Sequence, residues 1–178
     1  TKSKLRKKIQ LRIGEMYLSK GNLDESQRYF GKLKKKGAEF QYRFILTKLF
    51  SGEIDTAFSL LEQTIKNSQP LSPNFNDLLE LRNFISQYFQ DGTDTDKHAF
   101  ELFVFGEFYL RQKKLPESAA SYAFIQENYP GASISDVAIL REALVRLKLN
   151  QLPEAEILAE QLTKTKLADN GWILLGEI

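Results

Sequence analysis

Apolar residues recur at intervals of three and four along almost the whole chain, and no strand pattern of useful length appears, so helices are predicted throughout. Ile9, Ile13, Tyr17 and Leu18 fall on one face of a first helix, which Gly21-Asn22 ends. A second helix opens at Asp24-Glu25, where acids suit the helix dipole, and turns Ser26, Tyr29, Phe30 and Leu33 inward. Similar pairs are predicted at about 38–50 with 54–67, 97–112 with 116–128, and 134–148 with 153–165. Pro116 and Pro153 each sit in the first turn of a second helix, where the missing N–H costs nothing. Between the second and third pairs, Gln69-Pro70-Leu71-Ser72-Pro73 breaks the pattern. Asn74 or Asn76 then caps one long helix over about 75–90, carried by Phe75, Leu78, Leu79, Leu81, Phe84, Ile85, Tyr88 and Phe89 and ended at Asp91-Gly92.

The pairs are copies of one another. Leu23-Asp24-Glu25-Ser26, Ile54-Asp55-Thr56-Ala57, Leu115-Pro116-Glu117-Ser118 and Leu152-Pro153-Glu154-Ala155 are variants of one tetrapeptide, separated by 31, 61 and 37 residues. Upstream of the first and third copies, Gly14 aligns with Gly106, Glu15 with Glu107, Tyr17 with Tyr109 and Leu18 with Leu110. Steps of 31 and 37 suit two short helices with two turns, and 61 leaves room for one extra element. Ser26, Ala57, Ser118 and Ala155 are the small residues that let paired helices approach. The expected fold is an all-α solenoid forming one superhelical domain over 1–178. It has four units (about 7–37, 38–69, 97–131 and 134–167), the extra helix 75–90 and a partial unit at 169–178. The apolar half-unit from Trp172 and the lack of an initiating Met make the sequence read as a piece of a longer chain.

Composition narrows the chemistry. With no Cys, thiol catalysis, disulfides and Cys-ligated metals are excluded, and the single His98 rules out a multi-His site. The longest apolar stretch, Phe100 to Leu110, is interrupted by Glu101 and Glu107 and is too short to cross a bilayer. No glycine-rich phosphate loop occurs. The acidic run from Asp91 to Asp96 lacks the mid-loop Gly of a calcium loop and has Leu102 in the twelfth place, so it reads as turn and cap. His98 has no nucleophile or metal ligand beside it and reads as a surface residue. Glu154 and Glu156 read as a solvated face. No catalytic residue, cofactor or metal is expected.

Net charge is +2, yet residues 1–36 hold twelve Lys/Arg against three acids, while the remainder holds thirteen against twenty. The runs Lys2–Lys8 and Lys32–Lys36 read as solvated outer faces, since no aromatic platform interleaves with them; the alternative is binding of nucleic acid or an anionic surface.

Ile13-Gly14-x-x-Tyr17 with Gly21, Phe105-Gly106-x-x-Tyr109 with Pro130, and Trp172-x-x-Leu175-Gly176 resemble the tetratricopeptide repeat (TPR) family. The second and fourth units depart, with Ile45 and Ala143 for the Gly and Lys48 and Arg146 for the Tyr. The likeness spans nearly everything except 70–96. Asn128-Tyr129-Pro130-Gly131-Ala132-Ser133 is similar to linkers of bacterial exported and envelope TPR proteins, which implies a periplasmic or envelope location, the cytoplasm being the alternative.

The resemblance implies a non-enzymatic scaffold that holds a partner's peptide or helix in a concave groove. The matching groove positions are Leu11, Glu15 and Leu18, then Tyr42, Leu46 and Phe50. Phe100, Phe103, Glu107 and Arg111 follow, then Val137, Leu140, Leu144 and Lys148. Glu15 and Glu107 stand where chaperone-binding members carry the Asn of a carboxylate clamp. A groove this apolar implies an amphipathic or hydrophobic segment, with Tyr42 and Phe103 as anchors. These side chains could instead pack on neighbouring helices or be covered by the helix 75–90. Self-association through exposed solenoid ends is a further possibility.

Overall fold

A computed structural model describes residues 2–33, 37–72 and 74–178. Among these are ten α-helices and no strand: α1 (Lys2–Ser19), α2 (Leu23–Gly31), α3 (Ala38–Phe50), α4 (Ile54–Lys66), α5 (Phe75–Ile85), α6 (Asp94–Arg111), α7 (Leu115–Asn128), α8 (Ser135–Lys148), α9 (Leu152–Leu162) and α10 (Ala168–Glu177). The helices fall into two compact units, Thr1–Gln87 and Tyr88–Ile178. In the first, α1 to α4 each pack on the following helix; in the second, α6 to α9 do. The part of the basic run at 34–36 and the breaker residue Pro73 lie outside the described residues.

The turn inside each helix pair has one geometry, used four times. Gly21, Gly52, Lys113 and Asn150 all adopt positive φ, between 59° and 80°. The next residue's N–H reaches back five residues: Asn22 to the Tyr17 carbonyl, Glu53 to Lys48, Lys114 to Tyr109 and Gln151 to Arg146, at 2.9–3.0 Å. This is the Schellman closure, which satisfies carbonyls that the helix end would orphan and needs one residue in the left-handed region. It sits two residues before each copy of the tetrapeptide, so the repeat is as regular in backbone as in sequence. Asn22 additionally caps α2, its Oδ1 accepting from the Glu25 N–H at 3.1 Å. Pro116 and Pro153 occupy the first turns of α7 and α9.

The small residues of the tetrapeptides are all fully buried, as close helix approach requires. Ser26 and Ser118 use the contact for a hydrogen bond, the hydroxyl of each donating to the carbonyl of the Gly twelve residues earlier. A Cβ on Gly14 would lie 2.5 Å from the Phe30 ring, and one on Gly106 would lie 2.6 Å from the Tyr122 ring. Each glycine is the floor on which an aromatic ring of the second helix lies. The cores form around these contacts, with Phe30, Leu33, Ile45, Ile54, Leu61, Leu78 and Ile85 in the first unit and Phe100, Tyr122, Ile125, Ile134, Val145 and Leu162 in the second.

Several expectations need correction. Ile9, expected inward beside Ile13, is 51% exposed. The second helix α2 has nine residues against eighteen in α1 and leaves the N-terminal half of α1 uncovered. The helix expected over 75–90 runs as α5 only to Ile85 and continues as a π-turn, Ser86–Gln90. Asn74 holds the cap position of α5 with φ 63°, but its side chain donates to the Asp77 carboxylate at 2.6 Å instead of capping an N–H. At the C-terminal end, Gly176 faces open space where a side chain would start. Gly171 makes the close approach there, its Cβ position lying 2.8 Å from the Ala159 carbonyl oxygen and the Thr163 nitrogen.

The acidic stretch 91–96 does cap a helix. Thr93 and Asp96 form a capping box on α6: the Thr93 hydroxyl accepts from the Asp96 N–H, and the Asp96 carboxylate accepts from the Thr93 N–H and hydroxyl. The other carboxylate oxygen accepts the Ser133 N–H at 2.7 Å, tying the start of α6 to the turn between α7 and α8.

Candidate functional site

In the first unit α1 and α3 flank a groove of about 500 Å³. It is lined by Lys4, Lys7, Lys8, Leu11, Arg12 and Glu15 of α1, and by Glu39, Phe40 and Arg43 of α3. Helical spacing explains the α1 set, because residues 4, 7, 8, 11, 12 and 15 recur at three and four and share one face. Phe40 is buried and Leu11 half-buried, so the groove has a narrow apolar floor.

Its charges are unequally matched. Glu15 accepts from the Arg43 Nε at 2.9 Å and pairs with Arg12 at 3.5 Å. Arg43 also pairs with the Glu39 carboxylate at 3.6 Å and donates to its carbonyl at 3.2 Å. Two acids thus neutralise two guanidiniums, and the surplus positive charge of the groove is Lys4, Lys7 and Lys8. None of the three ammoniums makes an ion pair among the described residues.

The second unit repeats the central pair. Glu107 of α6 pairs with the Arg141 Nε of α8 at 2.9 Å, an ion pair between the same two register positions as Glu15 with Arg43. Arg43 lies two residues before Ile45, and Arg141 two residues before Ala143, so both arginines hold one register position. One difference is built in: Tyr122 stands where the first unit has Phe30, and its hydroxyl donates to Glu107 at 2.8 Å. Burial, followed by the negative charge of Glu107, pushes the Tyr122 phenol well above its ordinary range. Where a clamp would offer Asn, these carboxylates are each engaged by an Arg from the next first helix.

The expected groove residues differ in exposure. Leu11 and Glu15 line the groove between α1 and α3. Tyr42 is half-buried on α3, while Leu46, Leu18 and Phe50 are buried. Phe100 and Phe103 are core residues, 0% and 2% exposed, with Phe103 tilted against the Tyr122 ring at 5.4 Å. Glu107 is half-buried and Arg111 exposed. Leu140 and Leu144 pack on the cluster of Ile139, Ala143, Ala159, Leu162 and Leu174 between α8, α9 and α10. Arg43 and Arg141 were not among the expected residues, although their shared register two positions before Ile45 and Ala143 is a readable signal.

The remaining candidates lie at the surface. His98 is exposed, its Nδ1 2.7 Å from the Asp94 carbonyl oxygen. Glu154 and Glu156 are exposed on α9. Among the described residues no group of three His, Cys, Asp or Glu side chains could hold a metal ion, and no helix is long and apolar enough to cross a membrane. No family model and no curated protein matches this sequence.

Proposed function

We propose that the chain is a non-enzymatic protein-interaction scaffold of the tetratricopeptide kind, which receives a segment of a partner protein in the groove between α1 and α3. The observation that carries this reading is the groove itself: about 500 Å³ of concave space with an apolar floor of Leu11 and Phe40 and a charged rim. Four identical turns and the repeated Glu-to-Arg pair between first helices support a solenoid origin for that surface. Because Phe103 and Leu46 are buried, recognition falls to the exposed and half-buried positions of the first unit.

Leu11→Glu places a charge on the groove floor without touching the helix pairing. Affinity capture with the tagged wild type and with this variant, read by mass spectrometry after washes at low and high salt, tests the reading. A partner kept by the wild type at high salt and lost by Leu11→Glu, with unchanged helicity by circular dichroism, is the expected result. Equal capture by both proteins would place recognition elsewhere.

A second reading, binding of nucleic acid or an anionic surface through residues 1–36, draws on the surplus of nine positive charges there. It requires affinity that collapses with salt, because each phosphate contact releases counterions.

A further inference from the structure

Resting on the groove assignment above, we infer the chemistry of its occupant: an acidic polypeptide segment that lays carboxylates on Lys4, Lys7 and Lys8 and seats one apolar side chain over Leu11 and Phe40.

Charge comes first. Arg12, Arg43, Glu15 and Glu39 satisfy one another, so a ligand gains nothing by displacing them. Lys4, Lys7 and Lys8 recur at i, i+3 and i+4 on the groove face of α1, and their ammoniums make no ion pair among the described residues. Three like charges within one helical turn repel one another, so a ligand carrying several carboxylates relieves that repulsion as well as pairing with them. The spread of the three along α1 suits side-chain carboxylates strung on an internal segment. It does not require a free chain terminus.

The floor decides between kinds of polyanion. A nucleic-acid strand seeks an open aromatic face for its bases, and the one aromatic residue lining this groove, Phe40, is 7% exposed. Its neighbour Leu11 is aliphatic and half-buried. A small apolar floor ringed by cations complements an apolar side chain flanked by Asp or Glu.

The test is an array of internal peptides, acetylated and amidated at their ends, with fixed Leu content and composition graded from Lys-rich to Glu-rich, probed with the intact protein. The strongest binders are then titrated by fluorescence anisotropy. Signal is expected to rise with Glu content and to fall when Leu is replaced by Gly. Replacing Lys4, Lys7 and Lys8 together by Ala should weaken binding about tenfold, as the loss of three exposed ion pairs implies. Lys164→Ala with Lys166→Ala, exposed lysines of the second unit, should change nothing.

Signal independent of Glu content, or unchanged affinity in the triple variant, overturns the inference. Oligouridine bound more tightly than the best peptide through the same three lysines overturns it in favour of nucleic acid. If a cellular partner is still captured in a Leu11-dependent way while no acidic peptide binds, the scaffold reading stands and only the acidic occupant falls. If Leu11→Glu is also silent, both fall.

Discussion

The Ser26 hydroxyl donates to the Gly14 carbonyl across the α1–α2 contact at 3.0 Å, and Ser118 repeats the bond to Gly106 at 2.9 Å. The same register position carries Ala57 and Ala155 in the other two pairs, also fully buried. Small size is therefore what the position requires, and the hydroxyl is an addition. Ser118→Ala should cost about 1 kcal/mol, the net worth of one buried hydrogen bond, whereas Ser118→Leu should unfold the unit by overpacking. Chemical denaturation of both variants checks this; equal losses would mean that size is not the constraint.

Gly106 and Tyr122 form a matched pair. A methyl group at Gly106 would lie 2.6 Å from the ring, so Gly106→Ala should destabilise by about 1–3 kcal/mol. Removing the ring as well gives the methyl its room. A double-mutant cycle with Tyr122→Leu should therefore show strong coupling, with a double variant more stable than the sum of the single losses. Additivity would separate the two residues.

Tyr122→Phe recreates what the first unit already has in Phe30. It removes the hydroxyl from Glu107 while Arg141 remains, so the expected loss is about 0.5–1.5 kcal/mol. Removing Arg141 as well should amplify it, since Glu107 then keeps neither of these partners. Thermal melts of the single and double variants decide whether the three groups act as one network.

Lys113 takes φ 61° at a position held by Gly in two of the other three turns. Lys113→Gly relieves the Cβ contact that left-handed backbone imposes and should stabilise by about 1 kcal/mol. A lower melting temperature would show that the side chain contributes more than the backbone strain costs.

The Asp96 carboxyl is held well below its ordinary value of 3.8, chiefly by the Ser133 N–H and then by the Thr93 hydroxyl and N–H. The native state thus binds fewer protons than the unfolded chain. This contribution is complete above about pH 5 and is lost as pH falls through the region below the unfolded value. Asp96→Asn should be less stable than wild type at pH 7, by about 1 kcal/mol as for a lost cap, and the gap should be smaller at pH 3, closing only below the depressed native value. A gap that is the same at both pH values would rule out the linkage.

Helix positions were legible because the signal is local. Turn residues, prolines and three-and-four spacing placed the pairs within a few residues, and the buried Ser26, Ala57, Ser118 and Ala155 followed from register alone. The π-turn at Ser86–Gln90 was not legible, since a single extra residue per turn leaves the apolar spacing nearly unchanged. The burial of some expected groove positions was not legible for another reason. A first helix in such a pair buries one apolar side and offers another, and Phe100, Phe103 and Leu46 look alike on either until the helices are packed. Charge carried the better signal: Glu15 and Glu107 sit in register, as do Arg43 and Arg141, and reading both rows together yields the pair.

Packing of each helix on its chain neighbour has a kinetic consequence. Contacts between residues close in sequence close short loops, whose entropic cost is small, so folding need not wait for distant segments to meet. Each unit should collapse on the millisecond scale or faster, with a refolding rate nearly indifferent to where the chain is lengthened by an exposed insertion.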